Sequence, residues 1–332
     1  MKQLLKSING MKIAVTGASG YIGSALVDTL VKYSSKILRV SRQELKPKGG
    51  TQTLQADIST PDCWLRIVEN SDIIFHLAGN TSTYVADRDP AESLNSTLLP
   101  INHLVRACQE LRREPRIVHS STATVYGLTG SFPISESFEP DPITIYDLHK
   151  RFAEQQLILA TQQGLLNSIS LRLSNVYGAS SGISSMKDRG ILNKMIILAL
   201  QGGDLTVYGD GSYLRDYIYI DDVVHALCAA GIKKENGVLN VATGTSVSIN
   251  DAFRLVAKMV EKFTDKSINI EFAPWPNDIS PIEYRNFIAD INLLETVFDC
   301  KPEISLEIGV QRMINSYTSD FNINRVSFIQ RI

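Results

Sequence analysis

The chain is poor in cysteine and has no pair of cysteines close in sequence. The four, Cys63, Cys108, Cys228 and Cys300, are scattered over 332 residues with no CxxC spacing. Such scatter suits neither a zinc site nor a disulfide framework, so buried, reduced thiols in a cytoplasmic protein are expected and no metal is assigned. Long apolar runs are also missing: nothing approaches the ~18 residues of a membrane span, so no membrane partner is expected. The opening MKQLLKSING is too short and too polar for a signal peptide and reads as an extension before the first strand. Neither sign of charge dominates, with 33 Lys and Arg against 35 Asp and Glu and a net charge of −2. A basic surplus able to neutralise a phosphate backbone is therefore lacking, which argues against nucleic acid as a partner. Internal repeats and low-complexity segments are absent.

What is present is an ordinary globular balance, 44% hydrophobic and 20% charged, in a chain long enough for a large core and two lobes. Strand and helix signals alternate through the first half. KIAVTG, KILRVSR, TQTLQAD, DIIFHLAG, RIVHSSTATVYG and SISLRLSNVYG read as strands, several of them continuously apolar as parallel strands buried on both faces are. Helical patterns at 22–33, 61–69, 91–111 and 146–163 lie between most of them. This alternation predicts an α/β fold, a doubly wound parallel sheet built from right-handed crossovers. After about residue 178 the character changes. SSGISSMKDRG reads as a mobile loop, followed by helices near 188–201 and 221–231, short strands in LTVYGDGSYLRDYIYI, and the strand GVLNVAT returning to the main sheet. Helices are expected at 249–263 and 304–317. The division expected is a dinucleotide-binding Rossmann domain over 11–178, a smaller C-terminal lobe over 179–320 interleaved with the sheet, and terminal extensions at 1–10 and 321–332.

The stretch TGASGYIG carries Gly17, Gly20 and Gly23, three apart, between a strand and a helix. A plain glycine-rich turn is one reading. The other is a dinucleotide site: the first glycine permits the tight turn, the second lets backbone approach a pyrophosphate, and the third lets the helix pack on the strand. The N-terminus of the helix then offers free N–H groups to phosphate.

Further along, HSSTATVYG sets hydroxyls, Thr122 among them, at the end of a predicted strand. YDLHK follows, with Tyr146 and Lys150 four apart on one helix face. Taken alone such a pair can be a half-buried helical contact. Taken with the glycine turn, it places an ammonium beside a phenol, an arrangement expected to lower the tyrosine pKa from about 10 and fit it for proton transfer. His76 reads as structural, and His149 as pointing away from Tyr146 and Lys150.

TGASGYIG, ADIS, HLAG, SSTATVYG, YDLHK, LRLSNVYG and YGDGSYLRDYIYIDDVVHA together resemble the extended short-chain dehydrogenases/reductases of the NAD(P)-dependent nucleotide-sugar epimerase/dehydratase family, over about residues 11–318. The resemblance implies a Rossmann fold whose smaller lobe binds a nucleotide sugar. It implies cofactor contacts from Gly17, Gly20, Tyr21, Ile22 and Gly23, from Asp57 and Ile58 at the adenine, from Leu77, Ala78 and Gly79, and from Asn95. Thr122 matches the hydroxyl that orients the sugar, Tyr146 the general acid/base, and Lys150 the residue that binds the nicotinamide ribose and tunes Tyr146. Asn175 matches a diphosphate contact, and Arg215 and Arg285 match guanidiniums that clamp the diphosphate, a task suited to a planar two-pronged donor. On their own residues, Arg215 can equally pair with Asp216 or Asp221, and Arg285 can be a solvated surface arginine. A homodimer formed through the helices at 91–111 and 146–163 is a further implication.

Two departures matter. Dehydratases of this family carry Asp–Glu directly after the active-site Thr, where this chain has Ala123 and Thr124, so dehydration is disfavoured; a cysteine of the fucose-synthase type is missing too. In NAD-preferring members an Asp ends the second strand. Here Ser41 and Arg42 stand there, which favours NADP over NAD by offering a cation to a 2′-phosphate; Arg42 can otherwise stack on adenine or lie exposed in a loop. The expected function is a C4 epimerase of nucleotide sugars. An NADPH-dependent 4-ketoreductase is the alternative, and a non-catalytic NAD(P)-sensing regulator is the alternative from another class. The intact Thr122, Tyr146 and Lys150 weigh against the regulator.

Overall fold

A computed structural model describes residues 5–34, 36–181 and 190–323. The elements of the first half are β1 (Ile13–Thr16), α1 (Tyr21–Leu30), β2 (Ile37–Ser41), β3 (Gln52–Gln55), α2 (Pro61–Glu69), β4 (Ile73–His76), α3 (Thr83–Arg88), α4 (Pro90–Thr97), α5 (Leu99–Leu111), β5 (Arg116–Thr122), α6 (Ile145–Gln162), β6 (Asn167–Leu173) and β7 (Asn175–Tyr177). The second half adds α7 (Ile191–Leu200), β8 (Leu205–Tyr208), β9 (Leu214–Arg215), β10 (Tyr217–Tyr219), α8 (Ile220–Ile232), β11 (Gly237–Val241), β12 (Val247–Ser248), α9 (Ile249–Thr264), β13 (Ile270–Ala273), α10 (Asn292–Thr296) and α11 (Leu306–Ile323).

The main sheet has seven strands in the order β11-β6-β5-β4-β1-β2-β3, all parallel. It is the doubly wound sheet expected, and its chain order reverses between β1 and β4, where such sheets bind ligands beyond the strand ends. Alternation of side chains along a strand splits the core in two. Ile13 and Val15 of β1 pack with residues of α1 and α8 on one face. Ala14 packs with Val40, Ile74 and residues of α2, α5 and α6 on the other. A third cluster, built from α7, β8, α9 and α11, is the core of the smaller lobe.

Several differences from the sequence reading have local causes. The expected strand over 168–178 breaks at Ser174: β6 stays in the main sheet, while β7 leaves it to pair with β10. The expected strand over 116–127 stops at Thr122, whose side chain accepts from the Thr124 N–H and caps a short 3₁₀ turn, Ala123–Tyr126. The helix expected over 91–111 is two helices, α4 and α5, because Pro100 lacks the N–H that would continue the first into the second; α3 before them was not anticipated. The opening segment ahead of β1 packs onto the protein, with Leu5 and Ile8 buried in the main core. Residues 182–189 of the expected loop, 1–4 of the first extension and 324–332 of the last lie outside the described residues.

Candidate active site

The glycine turn is as close-packed as its spacing suggests. Gly17 has φ +69°, and a Cβ there would lie 2.8 Å from the Ala78 nitrogen. A Cβ on Gly23 would lie 2.1 Å from the Gly17 carbonyl oxygen. Only glycine lets β1, the turn and α1 approach one another and the β4 edge so closely. Tyr21 and Ile22 open α1, but their side chains point elsewhere. The Tyr21 hydroxyl donates to the Gly178 carbonyl at 2.8 Å and accepts from Asn193 at 3.2 Å, and Ile22 packs against the core. What the two can give a phosphate is the backbone of the first helical turn, which lacks helical partners.

Across the crevice, Leu77, Ala78 and Gly79 follow β4, with the Leu77 and Ala78 N–H groups donating to Thr16 Oγ1. Around Gly79 three polar groups converge: a Cβ on it would lie 3.5 Å from the Ser96 carbonyl, 3.7 Å from Lys150 Nζ and 4.0 Å from Thr97 Oγ1. Pro100 has no N–H to offer the Ser96 carbonyl four residues back, so that oxygen is left for the crevice. Asn95, expected to contact the cofactor, is exposed on α4, and Thr97 lies beside Gly79. The Thr97 hydroxyl and the Asn80 amide nitrogen are buried without a hydrogen-bond partner among the described residues. Buried polar atoms are rarely left so, and a ligand with ribose hydroxyls and an amide would satisfy them. A nicotinamide dinucleotide fits this cradle.

At the sheet edge, Ser41 ends β2 buried, its hydroxyl donating to Ser19 at 2.9 Å. Arg42 is exposed beside it. The Asp57 carboxylate accepts from the Ser59 N–H and hydroxyl, both at 2.9 Å; these bonds hold its pKa below the ordinary value. Ile58 is buried behind it.

Thr122, at the end of β5, and Tyr146, in the first turn of α6, both line a cleft of about 280 Å³. The far wall carries Lys194, Glu283 and Arg285 from the second half of the chain. Lys150 is buried one helical turn below Tyr146, its ammonium donating to the Ser120 carbonyl at 2.8 Å, and burial pushes its pKa down to about 8. The expected lowering of the Tyr146 pKa is not found. Burial pushes it above the ordinary value, the Asp147 carboxylate adds to this, and the bond to Thr122 opposes both. Lys150 is not among the groups that shift it. His149 turns away, to Ser93 at 2.9 Å. His76 and His119 are buried and stacked, 5.8 Å between ring centres.

The two arginines separate. Arg285 lines the cleft and donates to Asn175 Oδ1 at 3.1 Å, bringing two of the expected diphosphate residues together. Arg215 is 3% exposed. Its guanidinium donates to the carbonyls of Leu214, Glu283 and Arg285 and pairs with the Glu283 carboxylate at 3.5 Å, not with Asp216 or Asp221. It therefore braces the segment that carries Arg285 and does not line the cleft. Sequence reasoning also passed over Asp147. Although no carboxylate follows Thr122 in sequence, Asp147 brings one to the Thr124 hydroxyl in space. The signal was present as Thr144-x-x-Asp147, a helix-capping pattern. For Lys194 there was none.

A Rossmann sheet, a glycine turn opening on a dinucleotide cradle and a cleft lined by Tyr146 and Thr122 point to one family, and its sequence profile, described as NAD dependent epimerase/dehydratase, matches residues 13–242. The chain belongs to that family. Among curated members, it is 25% identical to a putative UDP-glucose 4-epimerase of Methanocaldococcus jannaschii, over 91% of this chain and 97% of that one. Among solved structures, it is similar to the UDP-glucose 4-epimerase of Thermotoga maritima with UDP-glucose, at TM-score 0.82 and 26% identity over 94% of this chain and 99% of that one. It is also similar to the UDP-glucuronic acid 4-epimerase of Bacillus cereus in complex with UDP-glucuronic acid and NAD, at TM-score 0.79 and 25% identity, covering 93% and 99%. As a member of the NAD-dependent epimerase/dehydratase family, the chain has its glycine turn, Gly79 crevice and Tyr146 within the matched span.

Proposed function

We propose that this protein is a nucleotide-sugar 4-epimerase. The observation that carries the reading is that Tyr146 and Thr122 line one cleft with Arg285, which donates to Asn175. Arg285 supplies a fork of N–H donors for a diphosphate, with Asn175 fixing its orientation. That anchors the nucleotide and leaves the sugar over Tyr146. The Tyr146 oxygen takes the proton of the C4 hydroxyl in one direction and returns it in the other, while Thr122 holds that hydroxyl in line. Ser82, Thr83 and Tyr84 add hydroxyls to the sugar side of the cleft. When bound, the nicotinamide cofactor accepts and returns a hydride. The residues that would hold it are the glycine turn, Gly79, Thr97 and Lys150, with Asp57 and Ile58 toward the adenine. Relatives named for UDP-sugars make uridine nucleotides the first to try.

A specific observation keeps a second reading in play. Ser41 and the exposed Arg42 end β2 where an acidic residue would disfavour a 2′-phosphate, which supports NADP(H) and with it a 4-ketoreductase. Incubation with UDP-, dTDP-, GDP- and CDP-sugars and their 4-keto forms, following NADPH absorbance and product stereochemistry together, tests both. A C4 epimer formed without net change in the nicotinamide supports the epimerase. Stoichiometric NADPH oxidation with a 4-keto-sugar replaces it by the reductase, and no product from any donor overturns the reading.

A further inference from the structure

The cleft holds a cation that no motif announced. Lys194 lines it, half-buried, from the first turn of α7. The residue before it fixes that turn in place. Asn193 Oδ1 accepts the Gly178 N–H at 3.0 Å, and its amide donates to the Gly178 carbonyl at 3.3 Å and to the Tyr21 hydroxyl at 3.2 Å. Gly190, just ahead of α7, also lines the cleft, and a Cβ on it would lie 3.0 Å from the Val176 carbonyl oxygen. Val176 follows Asn175, to which Arg285 donates. The start of α7 is thus packed on β7, the strand that receives Arg285.

Charge along this wall is unbalanced. The charged residues that line the cleft are Lys194, Glu283 and Arg285. Glu283 is paired with Arg215 at 3.5 Å. Two cations are left, and the diphosphate of a nucleotide sugar carries two negative charges at neutral pH. Arg285 is partly committed. Of the five N–H groups of a guanidinium, one goes to the Ile282 carbonyl at 3.0 Å and one to Asn175 at 3.1 Å. The Asp147 carboxylate also draws on the Arg285 charge. Arg215 is enclosed and donates to the carbonyls of Leu214, Glu283 and Arg285. Lys194 belongs to no ion pair among the described residues. An ammonium on a flexible four-carbon stem acts as a point charge and needs no fixed angle of approach to a phosphate.

We propose that Lys194 is a substrate-binding residue, the second cation of the diphosphate site, in the role the family resemblance gave to Arg215. The inference rests on the reading of the protein as a nucleotide-sugar enzyme and adds a source of specificity to it. Two cations carried by separate segments, α7 and the turn before Asn286, match two phosphates, and a single phosphate leaves one of them unmatched.

Titration calorimetry with UDP, dTDP, GDP and CDP first finds the diphosphate that the wild type binds, and the matching monophosphate is the second probe. In Lys194→Gln the diphosphate is expected to bind at least about tenfold more weakly, the effect of one lost charge-assisted contact. The monophosphate and NAD(P)H are expected to bind nearly as they do to the wild type. Lys194→Arg, which keeps the charge, recovers most of the diphosphate affinity. An unchanged diphosphate affinity in Lys194→Gln overturns the inference. So does an equal loss for diphosphate and monophosphate, or a loss confined to UDP-glucuronic acid, which would place the ammonium at the sugar. A wild type that binds none of the four diphosphates overturns the nucleotide-sugar reading itself and the inference with it, so the two failures are distinguishable.

Discussion

Arg215 donates its guanidinium protons to the backbone carbonyls of Glu283 and Arg285, and this contact gives the two arginines different duties. Arg285 is held where it faces the cleft, and Arg215 holds it there. Arg285→Ala is expected to raise KM for the nucleotide sugar strongly with little change in folding, since a charge-assisted contact contributes about 1.5–3 kcal/mol. Arg215→Ala is expected to lower thermal stability as well, because it takes the shared donor from the half-buried carbonyls of Leu214, Glu283 and Arg285. Steady-state kinetics and a melting curve for each variant check the split; an Arg215→Ala protein as stable as the wild type contradicts it.

Tyr146→Phe keeps the ring and removes the oxygen proposed to move the proton. Turnover is expected to fall on the order of a hundredfold or more, the usual weight of a positioned acid/base, with cofactor affinity nearly unchanged. Near-normal turnover in this variant would place proton transfer elsewhere.

Arg42 is exposed at the end of β2 with nothing acidic at Ser41. Titration with both cofactors is expected to show NADP(H) bound more tightly than NAD(H) by roughly ten- to a hundredfold, as a charge contact of about 1.5–3 kcal/mol implies. Arg42→Ala should erase the difference. Equal affinities in the wild type, or tighter NAD(H), remove the basis for the reductase.

His76 and His119 are buried neutral. Burial, with the nearby Lys150 charge, pushes His76 down to about 3, and His119 falls well below its ordinary value for the same reasons, with His76 itself adding a little. Below their unfolded pKa of about 6.5 the unfolded chain takes up protons that the native state refuses, so stability is full above that pH and falls as pH drops. Each histidine contributes a slope of about 1.4 kcal/mol per pH unit. Asp216, pushed up to about 6 by burial, works in the opposite direction over part of that window. Denaturant unfolding at a series of pH values from 7.5 to 5 should therefore show a shallower acid loss in His76→Asn/His119→Asn than in the wild type. Parallel curves would assign the loss to other groups.

Much of this was legible along the chain because its causes are local. The glycine turn announces itself, since a positive φ and a close approach at Gly17 and Gly23 are demands of neighbouring backbone. Tyr146 and Lys150 share a helix face by the pitch of the helix alone. The alternation of strands and helices suffices for a parallel sheet, as short crossovers have one favoured hand. Thr97 shows where this ended: nothing in the sequence marks it as the hydroxyl turned to Gly79, since its place depends on the break between α4 and α5.

The sequence by itself determined the doubly wound sheet, the turn at Gly17 and the pairing of Tyr146 with Lys150, because each follows from backbone geometry within a few residues. Only the tertiary structure decided that Arg285 reaches Asn175 while Arg215 is enclosed, that Asp147 meets Thr124, and that Tyr146 lies in surroundings that raise its pKa. Those depend on the approach of segments 23 to 110 residues apart and on the water that packing excludes, and neither leaves a period or a motif in the chain.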